Sequence, residues 1–209
     1  MNAKRDFNKD AASWDENPGR VRVAQKIAET IISTGMLDNN DSMMDFGCGT
    51  GLVSLALEPL VGTITGVDNS RGMLDVFNNK IKHYAIGNVS TALVDIDKSE
   101  LPSGPFNCIV SSMTMHHIKD IPLLLKKLHA ILDKNGKLFI ADLDSENGTF
   151  HENSDGVFHL GFDRFKFTSL LVDAGFGSVT AQTATEIQKP DSQGRSKTFT
   201  VFLLTAVKN

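Results

Sequence analysis

Three glycines at alternate positions form the first feature of this sequence that could do chemistry. Gly47, Gly49 and Gly51 follow the apolar run 42–46, where a strand would end and a helix would begin. Glycine lets the backbone approach a ligand closely, and the free N–H groups at a helix start favour a carboxylate or a phosphate. The pattern therefore predicts a ligand-binding turn.

Two carboxylates follow this turn. Asp68 ends a second strand-like run about 20 residues later, and Asp95 ends a third. A carboxylate at the first position can accept hydrogen bonds from both hydroxyls of a ribose, and open α/β sheets bind ligands beyond the carboxyl ends of their strands. Each feature alone has a structural explanation, because turn glycines are common and Asp68 could cap the next helix. Together they indicate an adenosine-containing ligand.

Alternating elements must position these residues. Strand-like runs are 42–46, 63–67, 91–94, 106–111 and 137–142. Helices are predicted from Asn17-Pro18 to near Gly35, after a Ser70 cap, from Asp120 and Pro122 through Leu132 to a stop at Gly136, and from about Phe165 to Ala174. This alternation predicts a mostly parallel sheet covered on both faces. Runs 178–183 and 198–206 should instead pair antiparallel, because only the polar loop 188–197 joins them.

Composition limits the class of protein. The chain has 209 residues, 41% hydrophobic and 22% charged, which suits one domain. A net charge of -4 would repel a phosphate backbone, so nucleic acid is not expected as a partner. The longest apolar stretch, 201–207, is too short to cross a membrane, and the two cysteines form no CxxC pair. We expect a soluble, cytoplasmic protein with no membrane partner, and the sequence does not indicate an oligomeric state.

The order of these motifs resembles that of class I S-adenosylmethionine-dependent methyltransferases. The resemblance rests on residues 45–51, on 66–70 followed by Met73-Leu74, and on Asp95 followed by Leu101-Pro102. Residues 106–118 resemble the fourth-strand motif of the small-molecule branch (types 11 and 12), which includes quinone-biosynthesis enzymes, and 128–138 resemble its fifth-strand entry. The resemblance covers roughly residues 7–207.

The resemblance implies a Rossmann-like α/β fold with a seven-stranded sheet in the order 3-2-1-4-5-7-6, strand 7 being antiparallel. One methyltransferase domain would span residues 1–209. It would consist of an N-terminal lid and helix (1–35), the cofactor-binding core (36–145), and a lid segment, last helix and hairpin (146–209).

The resemblance also implies a site for S-adenosylmethionine and its product S-adenosylhomocysteine. The glycines would cradle the methionine part, Asp45 would hold its ammonium group, and Asp68 would bind the ribose. Met73 would pack on the adenine, while Asp95 and the Ile96 backbone would recognise its amine. Ser111 and Met113 would line the channel of the methyl donor. The full set of implied cofactor residues is Asp45, Gly47, Cys48, Gly49, Gly51, Asp68, Asn69, Met73, Asp95, Ile96, Ser111 and Met113.

Histidines are the candidates for catalysis. Methyl transfer from a sulfonium is an in-line displacement, so a base is useful only where the acceptor must lose a proton. His117, or its neighbour His116, follows the fourth strand, and His159 lies before the last helix. Each could instead hydrogen-bond its local loop. No metal is expected, because His151, His159, Asp142 and Asp144 lack the spacing of a typical site.

The acceptor is expected to be a small, partly apolar molecule beneath a lid formed by residues 1–16 and 146–165. Trp14 belongs to the N-terminal part, which by resemblance folds over the donor site. Five phenylalanines between the fifth strand and the last helix, four of them in the second part, could wall an apolar pocket or anchor the loop to the core; they are Phe150, Phe158, Phe162, Phe165 and Phe167. The sequence does not specify the acceptor or the methylated atom.

Two other functions stay open from the sequence. A nicotinamide-dependent oxidoreductase also uses a glycine turn and an acidic residue, although the glycines here run GxGxG rather than GxGxxG. A protein of this fold could also bind S-adenosylmethionine without turnover, because no single catalytic residue is obligatory.

Overall fold

Seven strands form one sheet in the computed structural model, which describes residues 6–96, 98–151, 153–190 and 195–209. They are β1 (Ser42–Phe46), β2 (Thr63–Asp68), β3 (Val89–Leu93), β4 (Phe106–Ser112), β5 (Leu132–Leu143), β6 (Phe176–Pro190) and β7 (Ser196–Lys208). The order is β3-β2-β1-β4-β5-β7-β6; the β1 to β5 pairings are parallel, and β7 is antiparallel to both of its neighbours. The predicted order and the antiparallel tail are confirmed.

Helices follow most of the strands. They are α1 (Pro18–Ser33), α2 (Leu52–Leu57), α3 (Arg71–His83), α4 (Ile121–Ile131) and α5 (Arg164–Asp173). Asn17, Ser70 and Asp120 define three helix starts, because their side-chain oxygens accept N–H groups of the first turn. Within the described ranges, no helix has the length and apolar character needed to cross a bilayer.

The core lies on both faces of the sheet. Successive residues of β1 show the division, since strand side chains alternate between faces. Met43 belongs to the apolar cluster that contains Ile27 of α1, whereas Met44 belongs to the cluster that contains Leu124 of α4. Because β1 to β5 are parallel, their carboxyl ends and the loops that follow them lie along one edge of the sheet.

The end of α4 differs from the prediction. The helix ends at Ile131, and Leu132 begins β5 opposite Phe106, so the predicted extension through Leu132 is wrong. Leu132 continues the apolar helical spacing but has extended angles of φ -74° and ψ 145°. Asn135, at φ 60°, has the left-handed backbone in this region, and Gly136 lies within β5 instead of ending the helix.

The C-terminal hairpin is longer than predicted. Strand β6 continues to Pro190 and β7 begins at Ser196, so both ends of the predicted loop 188–197 belong to strands. Residues 191–194 of that loop lie outside the described residues.

Candidate functional site

The turn between β1 and α2, called here the glycine turn (residues 47–51), has a different role at each glycine. All three have positive φ, at 74°, 53° and 79°. A Cβ on Gly47 would lie 2.3 Å from the Thr114 side chain, and one on Gly51 would lie 2.3 Å from the Phe77 ring. A Cβ on Gly49 would have no heavy atom of the described residues within 4 Å. Gly47 and Gly51 therefore allow close packing, whereas Gly49 faces open space that a ligand could fill.

Asp68 joins the end of β2 to the glycine turn. Its Oδ2 accepts the Gly49 N–H at 2.8 Å and its Oδ1 accepts the Ser70 N–H at 2.8 Å. Ser70 itself caps α3 by accepting the Met73 N–H. Burial raises the pKa of Asp68 above its ordinary value. Since each carboxylate oxygen can accept two hydrogen bonds, Asp68 has capacity left for ligand hydroxyls.

Asp45 lies buried in β1 and has one oxygen without a partner among the described residues. The Ser54 hydroxyl donates to its Oδ2 at 2.5 Å, whereas Oδ1 accepts no hydrogen bond. Burial is the main cause that raises the pKa of Asp45 to about 7. An ammonium group beside Oδ1 would supply the missing donor and favour the charged carboxylate.

The residues after β3 lie at the same edge as Asp68. The Val94 N–H donates to the Asp68 carbonyl at 2.9 Å, which places Asp95 beside the end of β2. Asp95 pairs with Lys98 at 3.2 Å, and Ile96 packs against the core. Of the other predicted residues near this edge, Asn69 is exposed and Met73 is buried.

The remaining predicted cofactor residues are mostly enclosed by protein. Ser111 is buried, and its hydroxyl donates to the Phe46 carbonyl at 3.0 Å. Met113 adopts φ 52° directly after β4. Cys48 is buried in a small cluster with Phe77. Burial holds the pKa of this thiol well above its usual range.

The N-terminal segment lies against the glycine turn. The Thr50 hydroxyl donates to Asp15 at 2.6 Å, and Lys80 both pairs with Asp15 and donates to the Thr50 carbonyl at 2.8 Å. Further along, Asn8 accepts the Gly72 N–H at 2.8 Å at the start of α3. The described part of the N-terminal segment thus lies against this edge, and residues 1–5 lie outside the described residues.

Two histidines follow β4 at the same edge of the sheet. His116 is buried, and its Nδ1 lies 2.7 Å from Asp142 Oδ1 of β5. His117 Nδ1 lies 2.7 Å from the Gly156 carbonyl oxygen. Carboxylates and carbonyls only accept, so both Nδ1 atoms carry a proton and donate it. The Phe7 ring of the N-terminal segment lies 5.2 Å from the His117 ring, so the N-terminal segment contacts these histidines.

Two further histidines lie in the lid segment (residues 146–165), close to the histidines after β4. His159 Nε2 donates to the Ile118 carbonyl at 2.9 Å. His151 has its ring 4.9 Å from that of His116 and 5.8 Å from that of His117. We call His116, His117 and His151 the rim cluster, because one ligand nitrogen from each lies within 4.8 Å of the others.

The rim cluster differs from the set of residues weighed for a metal in the sequence, and of that set it contains only His151. Sequence spacing does not register histidines brought together by a loop. Asp144 lies in a bidentate pair with Arg164, at 2.7 and 2.6 Å. Asp142 supports His116, a role that the sequence did not reveal.

The five phenylalanines divide between the two predicted roles. Phe150 and Phe167 are buried, and Phe162 packs against Phe167 with ring centroids 4.9 Å apart. Phe158 and Phe165 are 40% and 81% exposed. Three of the rings, including Phe167 of α5, are therefore packed, and two are exposed.

Comparison with known proteins identifies the family. A family model described as a methyltransferase domain matches residues 18–179. An uncharacterized methyltransferase of Schizosaccharomyces pombe is 41% identical over 119 residues, which cover 54% of this chain and 42% of that protein. A malonyl-[acyl-carrier protein] O-methyltransferase of Serratia marcescens is 25% identical over 160 residues, which cover 74% of this chain and 59% of that protein. The chain thus spans about half the length of these curated relatives.

A solved structure agrees with the architecture. Phosphoethanolamine N-methyltransferase 2 of Haemonchus contortus, in complex with phosphomonomethylethanolamine and S-adenosylhomocysteine, superimposes with a TM-score of 0.71. The match covers 96% of this chain and 60% of that chain at 17% sequence identity, so this likeness concerns the fold. Because the family model spans more than half of the sequence, the chain belongs to the methyltransferase-domain family.

Proposed function

We propose that this protein transfers a methyl group from S-adenosylmethionine to a small, partly apolar acceptor. One observation carries the donor half of the proposal. Gly49 faces open space, its N–H is bound by Asp68, and the orphan oxygen of Asp45 lies buried in the strand that leads into the same turn. A ligand with a ribose and an ammonium group would use all three features.

The residues present fit the donor in chemical type. Asp68 would accept from the ribose hydroxyls, and Asp45 would balance the ammonium charge. Asp95 would accept a hydrogen bond from the adenine amine. A donor bound in this way would not disturb the packing of Gly47 against Thr114 or of Gly51 against Phe77. When bound, S-adenosylmethionine supplies an electrophilic methyl group on a positively charged sulfur.

The work of the protein is then to hold the acceptor in line and exclude water. Alignment at near-attack distance can account for much of the rate of such a displacement. The N-terminal segment contacts the glycine turn, and the lid segment contacts the histidines after β4, which supports a closed reaction site. The outward Phe158 ring offers apolar surface in the lid segment.

His117 is better placed than His159 to handle a proton of the acceptor. With Nδ1 donating to Gly156, the Nε2 of neutral His117 carries a lone pair. His159 donates through Nε2 to Ile118, which leaves Nδ1 as its basic atom. Both remain proposed catalytic residues, and His117 also lies nearest the N-terminal segment.

The acceptor class rests on charge and on the names of relatives. The net charge of -4 disfavours nucleic acid. The Serratia relative is named as an O-methyltransferase of a malonyl group on an acyl-carrier protein. An oxygen nucleophile on a partly apolar molecule is consistent with that chemistry. The cytoplasmic location and the absence of a membrane partner stay predictions.

Calorimetric titration of the full chain tests the donor. We expect S-adenosylmethionine and S-adenosylhomocysteine to bind and compete for one site, and NADH to give no binding heat. Binding of NADH alone would support the oxidoreductase alternative. Donor binding without methylated product, across a broad panel of metabolites, would support a binding protein without turnover.

A further inference from the structure

We propose that His116, His117 and His151 bind a divalent transition metal ion of the zinc class. The three side chains come from two distant stretches of chain, yet one ring nitrogen of each lies within 4.8 Å of the others. Imidazole nitrogen is a preferred ligand of zinc, and three histidines with an open fourth position form a known type of catalytic zinc site.

The hydrogen bonds behind two of the rings match those of metal ligands. A histidine that binds a metal usually donates its other ring N–H to a carboxylate or a carbonyl, which fixes the tautomer and the ring orientation. His116 donates Nδ1–H to the buried Asp142, and His117 donates Nδ1–H to Gly156. In both, the second ring nitrogen, Nε2, would be the metal ligand.

The third ring is held by an anchored neighbour. The Phe150 ring packs on Phe199 with centroids 5.2 Å apart, and Lys189 donates to the Phe150 carbonyl at 2.7 Å. His151 is the next residue and packs edge-on against Phe150, with centroids 4.9 Å apart. The lid segment is thereby fixed beside the rim, so His151 reaches the cluster without a large movement.

The separation of the ligand atoms requires only a small closure. Around a tetrahedral zinc ion with bonds of 2.0–2.1 Å, neighbouring ligand atoms lie about 3.4 Å apart. The observed limit is 4.8 Å, so a metal would draw the nitrogens closer by up to about 1.4 Å, chiefly by movement of the partly exposed His151 ring, while His117 keeps its Gly156 hydrogen bond. The buried His116 would stay in place on Asp142.

The location gives the metal a role on the acceptor side. Thr114, which contacts Gly47, precedes His116 by two residues, so the cluster lies next to the glycine turn. The role of the metal rests on the proposed methyl transfer, whereas metal binding itself does not. With a metal bound, His117 would be a ligand rather than a general base. A hydroxyl of the acceptor would occupy the fourth position, where the metal would lower its pKa, and the proton would be released to bulk water as the acceptor binds, before water is excluded. The oxygen lone pair then forms the C–O bond as the C–S bond breaks, with its electron pair remaining on sulfur.

Zinc titration of the chelator-treated full chain tests this site. We expect one Zn²⁺ per chain in wild type. His151→Gln should lower the affinity more than about 100-fold, because even loss of a supporting hydrogen bond costs about 10–100-fold. His83→Gln removes an exposed histidine of α3 and should bind zinc as wild type does. Circular dichroism establishes that both variants are folded.

Two results would overturn the site: no zinc binding by wild type, or equal zinc affinity in His151→Gln and His83→Gln. A second readout uses Co²⁺, whose visible absorption should show four-coordinate geometry in wild type and lose it in His151→Gln. Donor titrations and methyl-transfer assays on the same samples separate the metal site from the proposed function. Donor binding with no zinc binding rejects the metal site alone, and zinc binding with no methyl transfer rejects the proposed function alone.

Discussion

The donor side and the acceptor side of this edge are built in different ways. On the donor side, the two buried carboxylates bond to partners close in sequence: Asp45 and Ser54 are 9 positions apart, and Asp68 and Gly49 are 19 positions apart. On the acceptor side, His117 and His159 bond to partners 39 and 41 positions away. The donor-side carboxylates are therefore placed by a local motif, whereas the acceptor side depends on how one loop docks.

The largest expected effect comes from filling the space at Gly49. Gly49→Val should abolish donor binding at concentrations that saturate wild type, because the branched side chain occupies the open cradle. The backbone strain is controlled by Gly35→Val, since Gly35 has φ 65° and also faces open space, at an exposed position after α1. Calorimetry should show no donor binding in the first variant and normal binding in the second. Normal binding in a folded Gly49→Val would place the site elsewhere.

Removing the proposed acceptor-side histidine should affect turnover and leave the donor side intact. We expect His117→Gln to lower the methylation rate about 100-fold or more at neutral pH, with donor affinity nearly unchanged. His159→Gln should have a smaller effect, because it is His117 whose ring packs against Phe7 of the N-terminal segment, on the side of the glycine turn. Steady-state rates together with donor titrations measure both quantities. A parallel loss of donor affinity in His117→Gln would contradict the division into two sides.

Asp68 should contribute a measurable part of donor affinity. Asp68→Ala is expected to weaken donor binding by about 1.5–3 kcal/mol, or about 10- to 150-fold, the scale of charge-assisted hydrogen bonds. Asp75→Ala, at an exposed position of α3, is the matched control. Unchanged affinity in Asp68→Ala, measured by the same titration, would reject the ribose assignment.

The smallest effect concerns protons at Asp45. With its pKa raised to about 7, Asp45 is largely neutral in the free protein below that pH. An ammonium group beside Oδ1 stabilises the carboxylate, so donor binding should release a proton, and affinity should fall as pH decreases below about 7. Titration near pH 6 in two buffers of different ionisation enthalpy measures the release. The buffer dependence should shrink in Asp45→Asn, and its absence in wild type would count against an ammonium group at this oxygen.

The same contrast explains what the sequence could predict. The run 42–46 is β1, and the Ser70 and Asp120 caps are where they were expected, because strand alternation and helix caps are local properties. The end of α4 was mispredicted, because Leu132 satisfies the helical spacing yet pairs with Phe106 of β4. Such pairing depends on tertiary contacts that periodicity does not contain.

The site follows this rule as well. The glycine turn and its acidic partners were visible as a motif, whereas the packing of Phe77 against Gly51 was not. His116 and His117 were recognised as candidates, but neither the Asp142 partner nor the approach of His151 could be read from spacing. Both arise from β5 and from the docking of the lid segment, which no short pattern records.

Transfer of a labelled methyl group tests the central claim most directly. The full chain, labelled S-adenosylmethionine and a fractionated cell extract would be incubated together, with Gly49→Val as the inactive control and Gly35→Val as the active one. The account predicts that label appears in the small-molecule fraction with wild type and Gly35→Val and not with Gly49→Val. Label found only in protein or RNA, with none in the small-molecule fraction, would contradict it.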